Sequence, residues 1–196
     1  MRRLAAGLAA LLLSALPARA TLYIAERDGA AYLSGLFEKA DVERFAAFLA
    51  DARGRGIRVI YLDSLGGEVA AGIAIGKLIR KAGLATAVDA ARARCDSACT
   101  LIFAGGVKRH YIGGADVFEG FSGRGGLGYH PAHSRDGAWT RAEASARGTA
   151  MMTAHYRAMG QPGAAEMMRR AGFSSTFRPS GATALALRIA TTLEAP

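Results

Sequence analysis

The sequence predicts an α/β domain with a largely parallel sheet and C-terminal helices. Three observations carry that expectation. Segments such as "IRVIYLDS" (57–64) and "LATAV" (84–88) are mostly apolar rather than alternating, as strands buried on both faces are. Segments of helical period, such as "VERFAAFLADA" (42–52), stand between them. Small-residue turns, "SLGGE" (64–68) and "CDSAC" (95–99), fall where a strand gives way to a helix. Parallel sheets gather their functional groups at that end of the strands.

Taken in order, "YLSGLF" (32–37) reads as a strand and Asp41 as the N-cap of the helix over 42–52, with Phe45, Phe48 and Leu49 on one face. The strand at 57–64 leads into a helix from about Gly67 to Lys81, stopped by Gly83. After the strand at 84–88 come a helix opened by Ser97, the apolar run "TLIFAGG" (100–106), a glycine-rich passage and "GLGYHP" (126–131). Helices are expected over roughly 140–159, 163–170 and 181–187. Nothing after residue 20 looks like a repeat, a low-complexity linker or a boundary, so 21–196 reads as one domain.

Residues 1–20 read differently. Arg2 and Arg3 precede an apolar stretch from Leu4 to Leu16, and Ala18-Arg19-Ala20 supplies a small-x-small cleavage pattern. This is the pattern of a secretory signal peptide, because the run is too short to cross a ~30 Å hydrocarbon core. The expectation is an exported, periplasmic protein, with an uncleaved membrane anchor as the alternative. Without residues 1–20 the formal charge falls from +9 to +6, since Arg2, Arg3 and Arg19 leave with no acid. The remaining arginines are scattered among alanines and acids, with no basic run and no aromatic platform, which argues against nucleic-acid binding.

Two cysteines in an exported chain point toward a disulfide. Cys95 and Cys99 are four apart, which in a helix separates their α-carbons by about 6 Å, within disulfide range. Two cysteines without nearby histidines do not make a zinc site, and no metal or cofactor is expected.

Ser97 lies between those cysteines. It could cap its helix, or serve as a nucleophile if a base is near. His130 is the best placed of four histidines, ending an apolar approach and preceding Pro131; His110, His133 and His155 read as surface residues. Gly66-Gly67 could be a tight turn, or could present backbone N–H groups to a phosphate or an oxyanion.

The run "LDSLGGEVAAGIAIGKLIR", then "RCDSACTLIFAGG", then "GYHP", each about thirty residues apart, resembles the ClpP/crotonase superfamily, and in particular exported bacterial ClpP-like proteins. The resemblance covers about residues 30–190. It implies a repeated ββα spiral, with Ser97 as nucleophile, His130 as general base, and the N–H groups of Gly67 and Ala98 as the oxyanion hole. It also implies a peptide or protein substrate and a homo-oligomer. No ATPase partner is expected after export, so a substrate would be short or unfolded.

Two departures stand out. The segment that supplies the third triad residue, an aspartate, in ClpP has no acid here from Arg169 to Arg188, leaving Asp136, Glu143 and Glu166 as substitutes. Leu65 stands where the ClpP pattern has a proline, which is expected to loosen the glycine turn. A serine–lysine dyad, as in signal-peptide-peptidase and NfeD-type relatives, is not expected, because only Lys108 follows Ser97. The expectation is therefore an exported serine hydrolase acting on peptides, or alternatively a catalytically inactive ClpP-like binding or scaffold protein of the cell envelope. An acyl-CoA enzyme fits poorly with export.

Overall fold

The computed structural model describes residues 22–121, 123–135, 142–172 and 175–196. The expected signal peptide lies outside these residues. No described helix is long and apolar enough to cross a membrane.

The chain opens with a hairpin of β1 (Tyr23–Arg27) and β2 (Ala30–Ser34). Its turn residues Asp28 and Gly29 both have positive φ, 52° and 73°. That geometry matches the twist of the flanking strands, and Asp-Gly suits it. The strand expected at 32–37 therefore begins and ends earlier, and the Asp-Gly pair is the signal for its partner.

From β2 onward one unit recurs: a strand of the main sheet, a short pairing in a second layer beyond the strand end, then a helix. The first runs from β2 through Phe37, which bridges Gly67, to α1 (Asp41–Ala50). The second runs from β3 (Val59–Asp63) through Ser64, which bridges Cys95, to α2 (Val69–Ala82). The third is β4 (Ala85–Asp89), β5 (Arg94–Asp96) and α3 (Ala98–Gly105). The fourth begins with β6 (Arg109–Ile112) and β7 (Gly126–Gly128). A hairpin, β8 (His133–Arg135) with β9 (Ala142–Ala144), then precedes α4 (Ala146–Ala158). The chain finishes with α5 (Pro162–Arg170) and α6 (Gly181–Ala186).

The main sheet has the order β1-β2-β3-β4-β6, parallel from β2 on. The unit recurs in structure while no repeat is visible in the sequence, because a repeating backbone path needs only recurring hydrophobicity, not recurring residues. All eight residues of α3 are buried, including the whole of "TLIFAGG" except its last glycine, which caps the helix. A helix apolar on every side shows no period, and so the run reads in the sequence as a separate element.

Other expectations are corrected locally. Asp41 is the first residue of α1 rather than its cap: it is buried, its Oδ2 accepts from Glu38 N–H at 2.8 Å, and Arg44 pairs with it at 3.1 Å. Gly83 does stop α2, in the left-handed region at φ 65°, with its N–H directed at the carbonyls of Ile79 and Arg80. The helix expected from 140 begins only after Ser145, whose hydroxyl accepts from Gly148 N–H. His110 and His155 are buried, contrary to expectation. His110 Nδ1 meets the Glu194 carbonyl at 2.8 Å, and His155 Nε2 meets that of Leu101 at 3.0 Å.

Candidate active site

Ser97 stands between β5 and the first turn of α3 with φ 55° and ψ −124°. A non-glycine residue at positive φ is uncommon, and a serine on a sharp strand-to-helix turn presents its hydroxyl outward. Its backbone is held on both sides. Its N–H donates to the Gly128 carbonyl at 2.9 Å, and its carbonyl accepts from Thr100 N–H and Oγ1 at 3.0 and 2.6 Å. The hydroxyl does not cap α3, so the capping role is not the one this serine plays. Both neighbours at two residues' distance are buried cysteines, and their sulfurs are at disulfide distance, 2.11 Å.

The glycine pair lies against this elbow. A Cβ on Gly66 would stand 2.8 Å from Ser97 Cβ and 3.0 Å from the Ala98 nitrogen, and one on Gly67 would strike the Phe37 backbone. Both glycines have φ values, 107° and 140°, that L side chains rarely adopt. The bridge to Phe37 uses the Gly66 carbonyl and the Glu68 N–H, leaving the Gly67 N–H out of the ladder. Ala98 is the first residue of α3, so its N–H has no carbonyl within the helix. The turn is tight despite Leu65, because Ser64 Oγ accepts from Gly66 N–H at 3.0 Å and donates to the Gly35 carbonyl.

His130 follows β7, which pairs in parallel with β5 in the register Asp96↔Gly128. Ser97 is thus one residue, and His130 two residues, beyond paired positions on adjacent strand ends. The His130 Nδ1 lies 2.8 Å from the Pro131 carbonyl. A carbonyl only accepts, so in the neutral ring Nδ1 carries the hydrogen and Nε2 the lone pair. The ring also faces that of His133, with centroids 4.8 Å apart. Among the described residues no hydrogen bond joins the Ser97 hydroxyl to His130.

The acid candidates fare unequally. Glu166 is engaged on α5 with Arg169 and Arg170. Asp136 lies outside the described residues, and Glu143 contributes backbone to β9. Where the resemblance places an aspartate, the C-terminal segment brings a cation instead. Phe177 pairs antiparallel with Tyr129, which sets Thr176 opposite His130. The next residue, Arg178, is 2 % exposed and donates through Nη2 to Asp96 Oδ2 at 3.0 Å. Its Nη1 is 2.8 Å from Oδ1, an ion contact whose angle is not that of a hydrogen bond, and points instead at the Gly126 carbonyl at 3.2 Å. Its Nε donates to Gly123 at 2.7 Å. Sequence reasoning did not find this pair; an arginine in a segment lacking acids was the only trace of it. Lys108 is exposed at the start of β6, beyond the far end of α3 from Ser97, a helix length of about 12 Å.

No protein-family model and no curated protein matches the chain. Solved structures do. One is a serine-to-alanine mutant of the membrane-bound stomatin-specific protease 1510-N, with TM-score 0.57 and 17% identity over 83% of this chain and 76% of that one. Another is a lysine-to-alanine mutant of that protease in complex with a substrate peptide, with TM-score 0.55 and 16% identity over 83% and 72%. The fold is ClpP/crotonase-like. The Pseudomonas aeruginosa protein PA4980 also superposes, with TM-score 0.52 and 12% identity over 92% and 80%. In this fold the recurring unit is what sets the Gly66-Gly67 turn, Ser97 and His130 at the ends of neighbouring second-layer strands.

Proposed function

We propose that this chain is an exported serine hydrolase, a peptidase acting on short or unfolded peptides, with Ser97 as nucleophile and His130 as general base. The observation that carries the reading is the Ser97 elbow: a serine at φ 55° whose hydroxyl caps nothing, packed against a glycine turn. In the reaction, His130 Nε2 takes the Ser97 proton as Oγ attacks the scissile carbonyl. The Gly67 and Ala98 N–H groups receive the oxyanion, and the imidazolium returns its proton to the leaving amine. Water then repeats the sequence on the acyl-enzyme, releasing the acid and restoring Ser97.

The missing aspartate bears on rate rather than on kind. In serine triads the acid holds the imidazole tautomer and orientation. The Pro131 carbonyl supplies the tautomer here, though without the negative charge that stabilises an imidazolium. The Ser97–His130 contact would close with substrate, since catalytic hydrogen bonds are often long in unliganded sites. The substrate peptide bound by a structural neighbour supports a peptide substrate. Export rests on the pattern of residues 1–20.

The test is a fluorophosphonate probe on protein recovered from the periplasm, with Thr21 expected as the first residue by mass spectrometry. Ser97→Ala should abolish labelling, and His130→Ala should slow it on the order of 10³-fold or more. The lack of an acid from Arg169 to Arg188 favours a second reading, an inactive scaffold. Its signature is a folded protein in which Ser97 never labels.

A further inference from the structure

We propose that the Cys95–Cys99 pair is a positioning clamp on Ser97, making the competence of the site depend on the redox state of that pair. The inference rests on the hydrolase reading and names a regulation of the same site.

The geometry is a closed ring of five residues with Ser97 at its centre. Cys95 is anchored in the second layer, paired with Leu127 on one side and bridged to Ser64 on the other. Cys99 belongs to the first turn of α3. A bond between their sulfurs fixes the end of the strand to the start of the helix, and the backbone between them must turn within three residues. Asp96 is separately fixed by Arg178 and Arg94. Ser97 is left with the whole reversal, and it adopts φ 55°. A glycine would adopt this conformation without strain, but a serine holds it only where its surroundings over-determine it.

When the clamp opens, Ser97 keeps its N–H bond to Gly128, the Thr100 N–H and Oγ1 on its carbonyl, and its packing against Gly66, but loses the covalent tie between the strand end and the helix start. The strain at such a residue is large enough to move a conformational population by about tenfold or more. The serine then relaxes toward negative φ, and its hydroxyl and the neighbouring Ala98 N–H lose their shared orientation. The chemistry of opening balances with a dithiol as reductant. The Cys95–Cys99 S–S bond breaks, each sulfur gains one proton and one electron, and the dithiol is oxidised to its cyclic disulfide. Both cysteines are fully buried, so exchange waits on local opening of the loop.

The experiment uses the mature protein, oxidised, reduced with dithiothreitol and alkylated, or carrying Cys95→Ala with Cys99→Ala. Fluorophosphonate labelling rates are measured where circular dichroism and urea titration show each form folded. Hydrogen–deuterium exchange of residues 94–100 is followed alongside. Reduction is expected to slow labelling about tenfold or more, with reoxidation of unalkylated protein restoring it. The double variant should label at the slow rate and ignore reductant. Exchange should quicken in 94–100 while α2 is unchanged. A role in stability alone would lower the urea midpoint without moving the labelling rate of folded protein. Equal labelling rates in folded oxidised and fully alkylated protein overturn the proposal, as does unchanged exchange in 94–100. If the oxidised protein does not label at all, the hydrolase reading fails, and the exchange measurement still decides whether the clamp holds the loop.

Discussion

Ser97 and His155 differ in how much of their setting their own neighbours reveal. Ser97 is legible because small residues and two cysteines surround it, and a reversal between strand and helix needs small residues. His130 is legible through Pro131, which marks the turn that follows the short approach from β7. His155 is not, because α4 carries alanines, threonines and arginines and reads as a surface helix. What buries the imidazole is the fully buried α3 packed beside it, together with Gly76 of α2. His155 Nε2 faces the Leu101 carbonyl, and its Nδ1 has no partner. Burial lowers its pKa from the ordinary 6.5, against the effect of that hydrogen bond and with the help of Lys77 and Arg80. The folded state therefore binds this proton less readily than the unfolded chain does. Its contribution to stability is complete above the unfolded value and is lost as pH falls from about 6.5 toward the lower folded value. His155→Gln keeps an N–H for Leu101 and removes the titration. Urea midpoints between pH 5 and 8 should fall on the acid side for the parent chain and fall less for the variant. Parallel profiles would show that His155 carries none of the acid sensitivity.

At the scale of elements, the long helices and the main-sheet strands β2, β3 and β4 are readable, whereas the edge strands β1 and β6, the short β5 and β7 and the bridges are not. A three-residue strand such as "RCD" or "GLG" has no room for a period, and its pairing partners are thirty residues away. The α2–α3 contact is readable only in part. Glycines inside a helical pattern hint at a close approach, and the structure shows what is approached. A Cβ on Gly72 would come within 2.6 Å of the Ala98 carbonyl oxygen, one on Gly76 within 2.5 Å of that of Leu101, and one on Gly105 within 2.1 Å of that of Gly76. The two helices meet backbone to backbone, and α3 carries Ser97 and Ala98 at its start. Gly76→Ala should push the helices apart and cost about 1–3 kcal/mol, the range for overpacking a filled core. The propensity gain of alanine in a helix recovers at most about 1 kcal/mol of that. Urea unfolding measures the balance. A variant as stable as its parent would mean that the contact yields without cost.

Across the whole molecule, the C-terminal segment closes what the recurring units leave open. Thr192 bridges His110 at the edge of the main sheet, and Arg109 reaches the carbonyls of Arg188 and Ile189. That guanidinium has carbonyl partners, and burial pulls its pKa down to about 10. In the second layer Phe177 covers Tyr129, and Arg178 inserts its charge beside Asp96. No local pattern could announce the last contact, because the partners are 82 residues apart. Both side chains are nearly inaccessible, at 2% and 7%, so solvent screens their attraction little. Arg178→Met would leave Asp96 with Arg94, whose side chain is 47% exposed, as its remaining cation. Breaking a buried pair from one side costs about 3–5 kcal/mol, whereas replacing both partners with apolar residues of similar size is often neutral. Arg178→Met should accordingly lose about that much stability in urea and slow Ser97 labelling through the displaced Asp96 backbone. Adding Asp96→Leu should recover part of the stability without restoring the labelling rate, because Asp96 precedes the elbow directly. A single variant that loses less than about 1 kcal/mol would place Arg178 among exposed ion pairs in its energetic effect.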